Sequence, residues 1–397
     1  MATFSVQFLG CKVSHTDVQE IRERLVAAGH EEVETAADVA VVNTCCVTHE
    51  AVRKSRQAAR RAARVSGRVY VTGCAANLDG AFADMRGSVR LVPLPSEKTA
   101  AAVVGEVGTL ACADARAGFG RVRAFVKVQD GCSFACAFCV IPRVRGASRS
   151  RPASAVLAEV RRRVAQGHLE VVLTGINLGC YRDREERFDL ARLVREVGAV
   201  AGLRRLRLSS VEVNHLTDGL VRAVRETPVA ARHLHVPLQA GDDAVLRAMG
   251  RRYSVATYLR RLARAEGFNV TTDVIVGFPG EDERAFAGTL RTVAAAGATA
   301  VHVFPYSPRP GTQTAAADSV SAAEKRERSE RLRRSVSEAA LTRRRARVGS
   351  TDDVLVDRPG RGYGDDYTPW RVAGPVGEFV RARAVSATEE GLVGVAV

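Results

Sequence analysis

A chain of 397 residues, 46% hydrophobic and 26% charged, is long enough for two or three domains with their own cores, and its longest apolar runs are strand-length, which excludes a membrane-spanning helix. The start, Met1-Ala-Thr-Phe-Ser5, lacks the basic-then-apolar order of a signal peptide, and nine cysteines, three of them closely spaced, fit a reducing compartment, so a cytoplasmic protein without disulfides is expected. Lys and Arg outnumber Asp and Glu by 59 to 44, a net charge of +15 in which Arg is strongly preferred, and this points to a polyanionic partner whose phosphates match guanidinium forks.

Residues 3–9 read as a strand that ends at Gly10-Cys11, after which Thr16 or Asp17 is expected to cap a helix running to about Ala28. A second strand, Asp38–Asn43, ends at Thr44-Cys45, and a third, Arg68–Thr72, ends at Gly73-Cys74. Strand-then-helix alternation implies a parallel sheet whose ligands gather at the carboxyl ends of its strands. Cys11, Cys45 and Cys74 all fall at that edge, so a three-thiolate site is expected from cysteines far apart in sequence. Between the second and third strands, Glu50–Arg64 has helical period with Arg53, Arg56 or Gln57, Arg60 and Arg64 on one basic face. Glu97–Phe119 carries little signal and reads as a helix and linker.

The run Cys132-Ser-Phe-Ala-Cys136-Ala-Phe-Cys139 has C-x-x-x-C-x-x-C spacing. Such a loop can hold three irons of a [4Fe–4S] cube and leave the fourth without a protein ligand; three cysteines of a zinc site with a distant fourth ligand are the alternative. Around it, strand-like runs at Ala124–Val128, Val171–Leu173, Leu206–Leu208, His233–Val236, Val270–Val276 and Ala300–Phe304 alternate with helical stretches, which predicts a partial (β/α)6 barrel with its chemistry on the carboxyl-terminal rim. Past Arg343–Arg347, short β segments at Asp353–Val356, Thr368–Val372, Glu378–Ala384 and Gly391–Val395 predict a small β-barrel whose charges nearly balance. The expected division is 1–115, 118–348 and 349–397.

The Cys132–Cys139 run resembles the radical S-adenosylmethionine (SAM) superfamily. Taken with Cys11, Cys45 and Cys74, the whole chain resembles the methylthiotransferases, which join an α/β domain, a radical SAM barrel and a TRAM-like β-barrel. Within them it most resembles those acting on threonylcarbamoyladenosine in tRNA, on the runs Leu9-Gly-Cys-Lys-Val13, Val42-Asn-Thr-Cys-Cys-Val-Thr48, Arg53-Lys-Ser-Arg-Gln57, Val71-Thr-Gly-Cys74 and His302-Val-Phe-Pro-Tyr-Ser307. The resemblance implies two [4Fe–4S] clusters, one on Cys132, Cys136 and Cys139 that reduces SAM and an auxiliary one on Cys11, Cys45 and Cys74 that carries sulfur. It implies two uses of SAM, as methyl donor and as the source of a 5′-deoxyadenosyl radical that takes hydrogen from C2 of adenine. Sister enzymes act on isopentenyladenosine in tRNA or on a ribosomal protein aspartate; a non-catalytic iron–sulfur or zinc RNA-binding protein is the reading from another class.

Cys46 stands where the family usually has Thr, and Cys45 is assigned as the ligand because it follows Asn43-Thr44. Contacts to SAM are expected from Phe138, Thr174, Gly175, Asn177, Glu212, Gln239 and Gly277, residues that follow strands and offer small side chains, amides or a carboxylate. His233 and His235 share one strand face and are read as packing, and Cys112 and Cys180 as small apolar residues. Arg143, Arg145, Arg149 and Arg151 are read as a phosphate clamp on an anticodon stem-loop, with Tyr367 and Trp370 as candidate base-stacking groups. Expected partners are tRNA, an electron donor such as flavodoxin or ferredoxin, and a sulfur donor, with no membrane partner.

Overall fold

The computed structural model describes residues 2–94, 101–105 and 122–397. The Glu97–Phe119 stretch lies outside the described residues apart from helical residues 101–105, and Cys112 lies outside with it.

β1 (Thr3–Phe8), β2 (Glu31–Glu32), β3 (Val39–Thr44), β4 (Arg68–Gly73) and β5 (Arg90–Leu91) form one parallel sheet in the order β2-β1-β3-β4-β5. Alternation along β3 places Val39 and Val41 in one apolar cluster with Ile21 and Leu25 of the helix Lys12–Ala27. Ala40 and Val42 join the opposite cluster with Ala58, Ala59 and Ala62 of the helix His49–Val65. The sheet is therefore covered on both faces, as a parallel sheet requires. The first helix starts four residues before the expected Thr16 cap: Cys11 is its N-cap, without a side-chain capping bond. Thr16 instead bonds back to Val13 O, and Asp17 is buried in an ion-pair network, so neither is free to cap.

The central unit follows the expected alternation. β6 (Arg123–Asp130), β7 (Arg149–Ser150), β8 (Glu170–Gly175) and β11 (Arg205–Leu208) form a sheet ordered β11-β8-β6-β7, with the hairpin β9 (Arg182–Asp183) and β10 (Phe188–Asp189) outside it. β12 (His233–His235), β13 (Asn269–Val276) and β14 (Ala300–Pro305) form a second parallel sheet, and the bridges Leu206–Ala230 and Ser210–His235 join β11 to β12. Six parallel strands thus make a partial barrel in sequence order. Leu234, Val270, Val274 and Val303 pack outward under the helices, while the alternate positions His233, His235, Thr271, Asp273 and His302 line the lumen.

β15 (Thr351–Arg358), β16 (Arg361–Tyr363), β17 (Pro369–Arg371), β18 (Phe379–Ala387) and β19 (Leu392–Ala396) close into a five-stranded barrel around Val354, Val356, Trp370, Ala382 and Leu392. It docks at the amino-terminal ends of the central strands. Buried Glu170 pairs with Arg205 and Arg207, whose remaining N–H groups donate to the carbonyls of Asp353, Tyr363, Gly364 and Asp365. Trp370 is 1% exposed, and the Tyr367 ring lies 4.8 Å from His233 and stacks on Tyr363. Both aromatics are thus committed to packing, which overturns their reading as base-stacking groups. No helix among the described residues is long and apolar enough to cross a membrane.

Candidate active site

Three adjacent strands deliver the first thiol set. Cys11 follows β1, Cys45 follows β3 and Cys74 follows β4, so the expected convergence at the sheet edge is realised. Asn43 ties the edge together, its Nδ2 donating to Leu9 O at 2.8 Å, and Thr44 Oγ1 donates to Thr72 O at 2.6 Å. Gly73 is required there: at φ +90° a Cβ would stand 2.5 Å from Thr44 O. The charges of Cys74 and Cys11 both act on Cys45, whose thiol burial pushes up to about 11. Cys46 is fully buried and bonds to the Cys74 thiol. That bond, with the Arg145 guanidinium, outweighs burial and holds Cys74 down at about 7.

The second set sits at the end of β6. Gly131, at φ +68°, carries the chain past Ala147, whose carbonyl oxygen would lie 2.1 Å from any Cβ, and Cys132 N–H then donates to Gly146 O at 3.0 Å. Phe134 N–H points at Cys132 Sγ (3.5 Å) and Arg251 at Cys136 Sγ (3.4 Å). Burial raises the Cys132 thiol, and raises Cys139 to about 12. These thiols would be held as thiolates when a cluster binds, since metal ligation requires loss of their protons.

Neither trio has all three sulfurs within 4.8 Å of one another; among the described residues the one group that meets this spacing is His235, Asp273 and His302. A zinc ion at about 2.3 Å from each sulfur would draw them to about 3.8 Å apart. The wider thiol sets fit a larger iron–sulfur cube. Asn177 Oδ1 and Thr174 Oγ1, buried without partners near the second loop, leave acceptor capacity for a bound cofactor.

A cavity of about 230 Å³ is lined by Cys46 and Val47, which follow Cys45, by Cys139 of the second set, and by Phe138, Gln239, Asp273 and Arg309. Burial pushes the Asp273 carboxyl up, but His235 and His302 outweigh it and hold it ionised.

The Radical SAM superfamily matches residues 126–293, and the Uncharacterized protein family UPF0004 matches residues 3–92. The chain is similar to the Threonylcarbamoyladenosine tRNA methylthiotransferase MtaB of Chlamydia pneumoniae, at 34% identity over 99% of this chain and 97% of that one. The protein of the same name from Bacillus subtilis is 36% identical over 79% and 76%. The chain belongs to the radical SAM methylthiotransferase family. The tRNA-2-methylthio-N(6)-dimethylallyladenosine synthase of Sphingopyxis alaskensis is also similar, at 34% over 97% and 95%. Among solved structures, the radical S-adenosylmethionine methyltransferase TsrM from Kitasatospora setae shares the fold, with a TM-score of 0.57 at 14% identity over 79% of this chain and 76% of that one.

In this methylthiotransferase the residues expected to meet SAM are distributed unevenly. Asn177 bonds to the Cys132 sulfur, and Thr174 and Gly175 end β8 beside that loop. Glu212 is buried and already accepts from Arg251 (3.2 Å) and from Asn214 N–H (2.8 Å). Gln239 and Phe138 line the cavity, Phe138 held edge-on by Phe278. Gly277 packs elsewhere: its N–H donates to Glu281 at 2.7 Å, and Lys325 fills the space a Cβ would need.

The arginines after the loop do not form one clamp. Arg145 is buried, with Nε 3.0 Å from Cys74 Sγ, Nη1 3.0 Å from Asp130 Oδ1 and Nη2 2.8 Å from Asp17 Oδ2. Arg149 turns back on Arg145 O and Asp130, and Arg151 on Glu159. Arg143 and Arg149 keep about half of their side chains exposed, and Arg143 lies 3.5 Å from the exposed Asp79. On the helix His49–Val65, Arg53 pairs with Glu50, and Arg56 and Arg60 share Asp84. Cys180 has a polar partner after all, His215 Nε2 at 3.3 Å. Sequence reasoning missed Arg251 and Arg309; the only signal for either was its nearness to a Gly turn or to Ser307-Pro308.

Proposed function

We propose that this chain is a cytoplasmic tRNA-modifying enzyme that inserts a methylthio group at C2 of N6-threonylcarbamoyladenosine at position 37, next to the anticodon. The observation that carries this reading is the cavity lined both by Cys46, the neighbour of Cys45, and by Cys139. When bound, two [4Fe–4S] clusters and SAM supply the reducing electron, the radical and the sulfur. Cys132, Cys136 and Cys139 would hold one cluster, and Cys11, Cys45 and Cys74 the other. Phe138, Thr174, Gly175, Asn177, Glu212 and Gln239 would position SAM, with Gly277 acting through the turn behind them.

The remaining work of the chain is placement and exclusion of water. An aryl C–H has no acidic proton, so no side-chain base is needed at C2. Arg251, buried between Cys136 and Glu212, offsets the charge a thiolate brings into the site. A groove of about 750 Å³ lined by His49, Arg53, Arg56, Arg143 and Arg309 adjoins the cavity and suits an anticodon loop with its base splayed inward. Residues 1–115, 118–348 and 349–397 would then serve as auxiliary-cluster, radical SAM and TRAM-like domains. Flavodoxin or ferredoxin would supply electrons, and a separate donor the sulfur.

The test is anaerobic incubation of reconstituted protein, SAM and a strong reductant with tRNA bearing threonylcarbamoyladenosine, followed by nucleoside mass spectrometry. The methylthio derivative is expected. Formation of 5′-deoxyadenosine without it would move the substrate to isopentenyladenosine tRNA or a ribosomal protein.

A further inference from the structure

A second, larger cavity lies beside the two imidazoles that bond to Asp273. It measures about 730 Å³ and is lined by Lys12, His233, His235, His302, Arg343 and Arg344, among others. The hydrogen-bonded cluster at Asp273 borders both spaces: Asp273 Oδ1 accepts from His235 Nε2 and from His302 Nδ1, each at 3.1 Å, and Asp273 lines the first cavity while both imidazoles line the second. Thr271 Oγ1, 2.9 Å from His235 Nδ1, fixes the deeper ring.

The second cavity carries uncompensated positive charge. Lys12 has no carboxylate partner among the described residues. Arg343 donates to the carbonyl of Gly297, and Arg344 to those of Thr388 and Glu389, so their charges are hydrogen-bonded but not neutralised. Arg347 alone is balanced, by Asp352 and Asp366. The His302 side chain is 66% exposed, and with Nδ1 committed to Asp273 its Nε2 is left for a ligand. A protonated imidazole donates from both nitrogens, so one ring can serve Asp273 and an incoming anion together.

We propose that this cavity receives a carboxylate on the N6 side chain of the target base, with Lys12 and His302 as the residues that read it. The inference rests on the function proposed above and deepens it. A base held in the first cavity extends its N6 substituent past Asp273, whereas the RNA phosphates remain in the surface groove. A threonyl carboxylate satisfies Lys12 and the His302 ring, and an apolar dimethylallyl group would leave both polar groups desolvated and unpaired, a penalty that discriminates more strongly than a missing methylene.

The experiment compares anticodon stem-loop RNAs carrying threonylcarbamoyladenosine as the free acid or as its methyl ester, turned over by the holoenzyme. The wild type is expected to favour the acid by about tenfold or more in kcat/KM, mainly through KM. In His302→Leu and in Lys12→Met the acid-to-ester ratio should collapse toward one, with iron content at the wild-type level. His302→Gln, which can still bond to Asp273, guards against a folding defect and should also lose the preference. Equal wild-type rates on acid and ester would overturn the assignment. So would variants that slow both RNAs alike, which would mean that the cavity grips phosphate or only supports the fold. Product from dimethylallyladenosine RNA but none from either threonyl substrate would overturn the substrate reading itself, and the inference with it.

Discussion

Arg145 Nε lies 3.0 Å from Cys74 Sγ while Nη1 of the same guanidinium holds Asp130, two residues before Cys132. One buried charge thus ties the edge of the N-terminal sheet to the loop of the central barrel. Asp17 and Lys127 complete the network, Lys127 Nζ sitting 2.7 Å from Asp17 Oδ1. Removing one partner from such a network leaves an uncompensated buried charge, which costs about 3–5 kcal/mol. Arg145→Met should therefore lower unfolding free energy by about that amount in denaturant titrations. The reduction potential of the auxiliary cluster should move negative in a spectroscopic titration, because an N–H donor to its sulfur is gone. An unchanged potential in a folded variant would show that the contact does not tune the site.

The two adjacent cysteines are expected to behave differently. Cys45→Ala should drop the iron content from about eight to about four per chain and abolish methylthio transfer, while 5′-deoxyadenosine still forms. Cys46, buried against Cys74, should tolerate Ala with both clusters retained and only a small-cavity cost of about 1 kcal/mol. Iron analysis of the two variants side by side decides the ligand.

The barrel lumen gives the protein a pH-dependent stability. Burial, together with Arg207, His235 and Lys12, holds the His233 imidazole well below its ordinary value of 6.5, so it stays neutral when folded. The unfolded chain binds a proton at that ring below about pH 6.5 and the folded chain does not, so stability falls as pH falls, by up to about 1.4 kcal/mol per unit for this one group. His233→Gln should flatten the decline between pH 7 and 5.5 in chemical denaturation. A slope as steep as that of the wild type would place the effect on other groups.

Docking of the C-terminal barrel depends on Glu170, the shared partner of Arg205 and Arg207. Glu170→Gln leaves Arg207 with carbonyls alone and Arg205 with carbonyls and the longer Asp365 contact at 3.5 Å, and should cost about 3–5 kcal/mol. Circular dichroism on heating is expected to show a second, earlier transition as residues 349–397 separate, and limited proteolysis should cut near Val348. A single transition at the wild-type temperature would mean that the carbonyl contacts suffice.

Much of this organisation is legible in the residues themselves. The six central strands show as short apolar or alternating runs between helical stretches, and a strand ending in Gly-Cys or Thr-Cys announces a thiol at the sheet edge before any partner is known. Charges are harder to read. Arg145 and Arg143 look alike in sequence, yet one is buried by partners 15 and 128 residues away and the other faces the rim. Nothing local distinguishes an arginine that meets phosphate from one that balances Asp17. β16 escaped notice because Arg361-Gly-Tyr363 is too short to show alternation. Tyr367 looked like a surface aromatic because its partners, His233, Tyr363 and Arg207, come from separate elements of two domains.

Trp370 is the only tryptophan in the sequence and sits in the core of the C-terminal barrel, at the end of the central strands away from both thiol sets. Its ultraviolet emission therefore reports on that barrel alone, while visible absorbance from bound iron reports on the opposite end of the molecule. A single sample, observed in the two colours, can follow the scaffold and the chemistry separately.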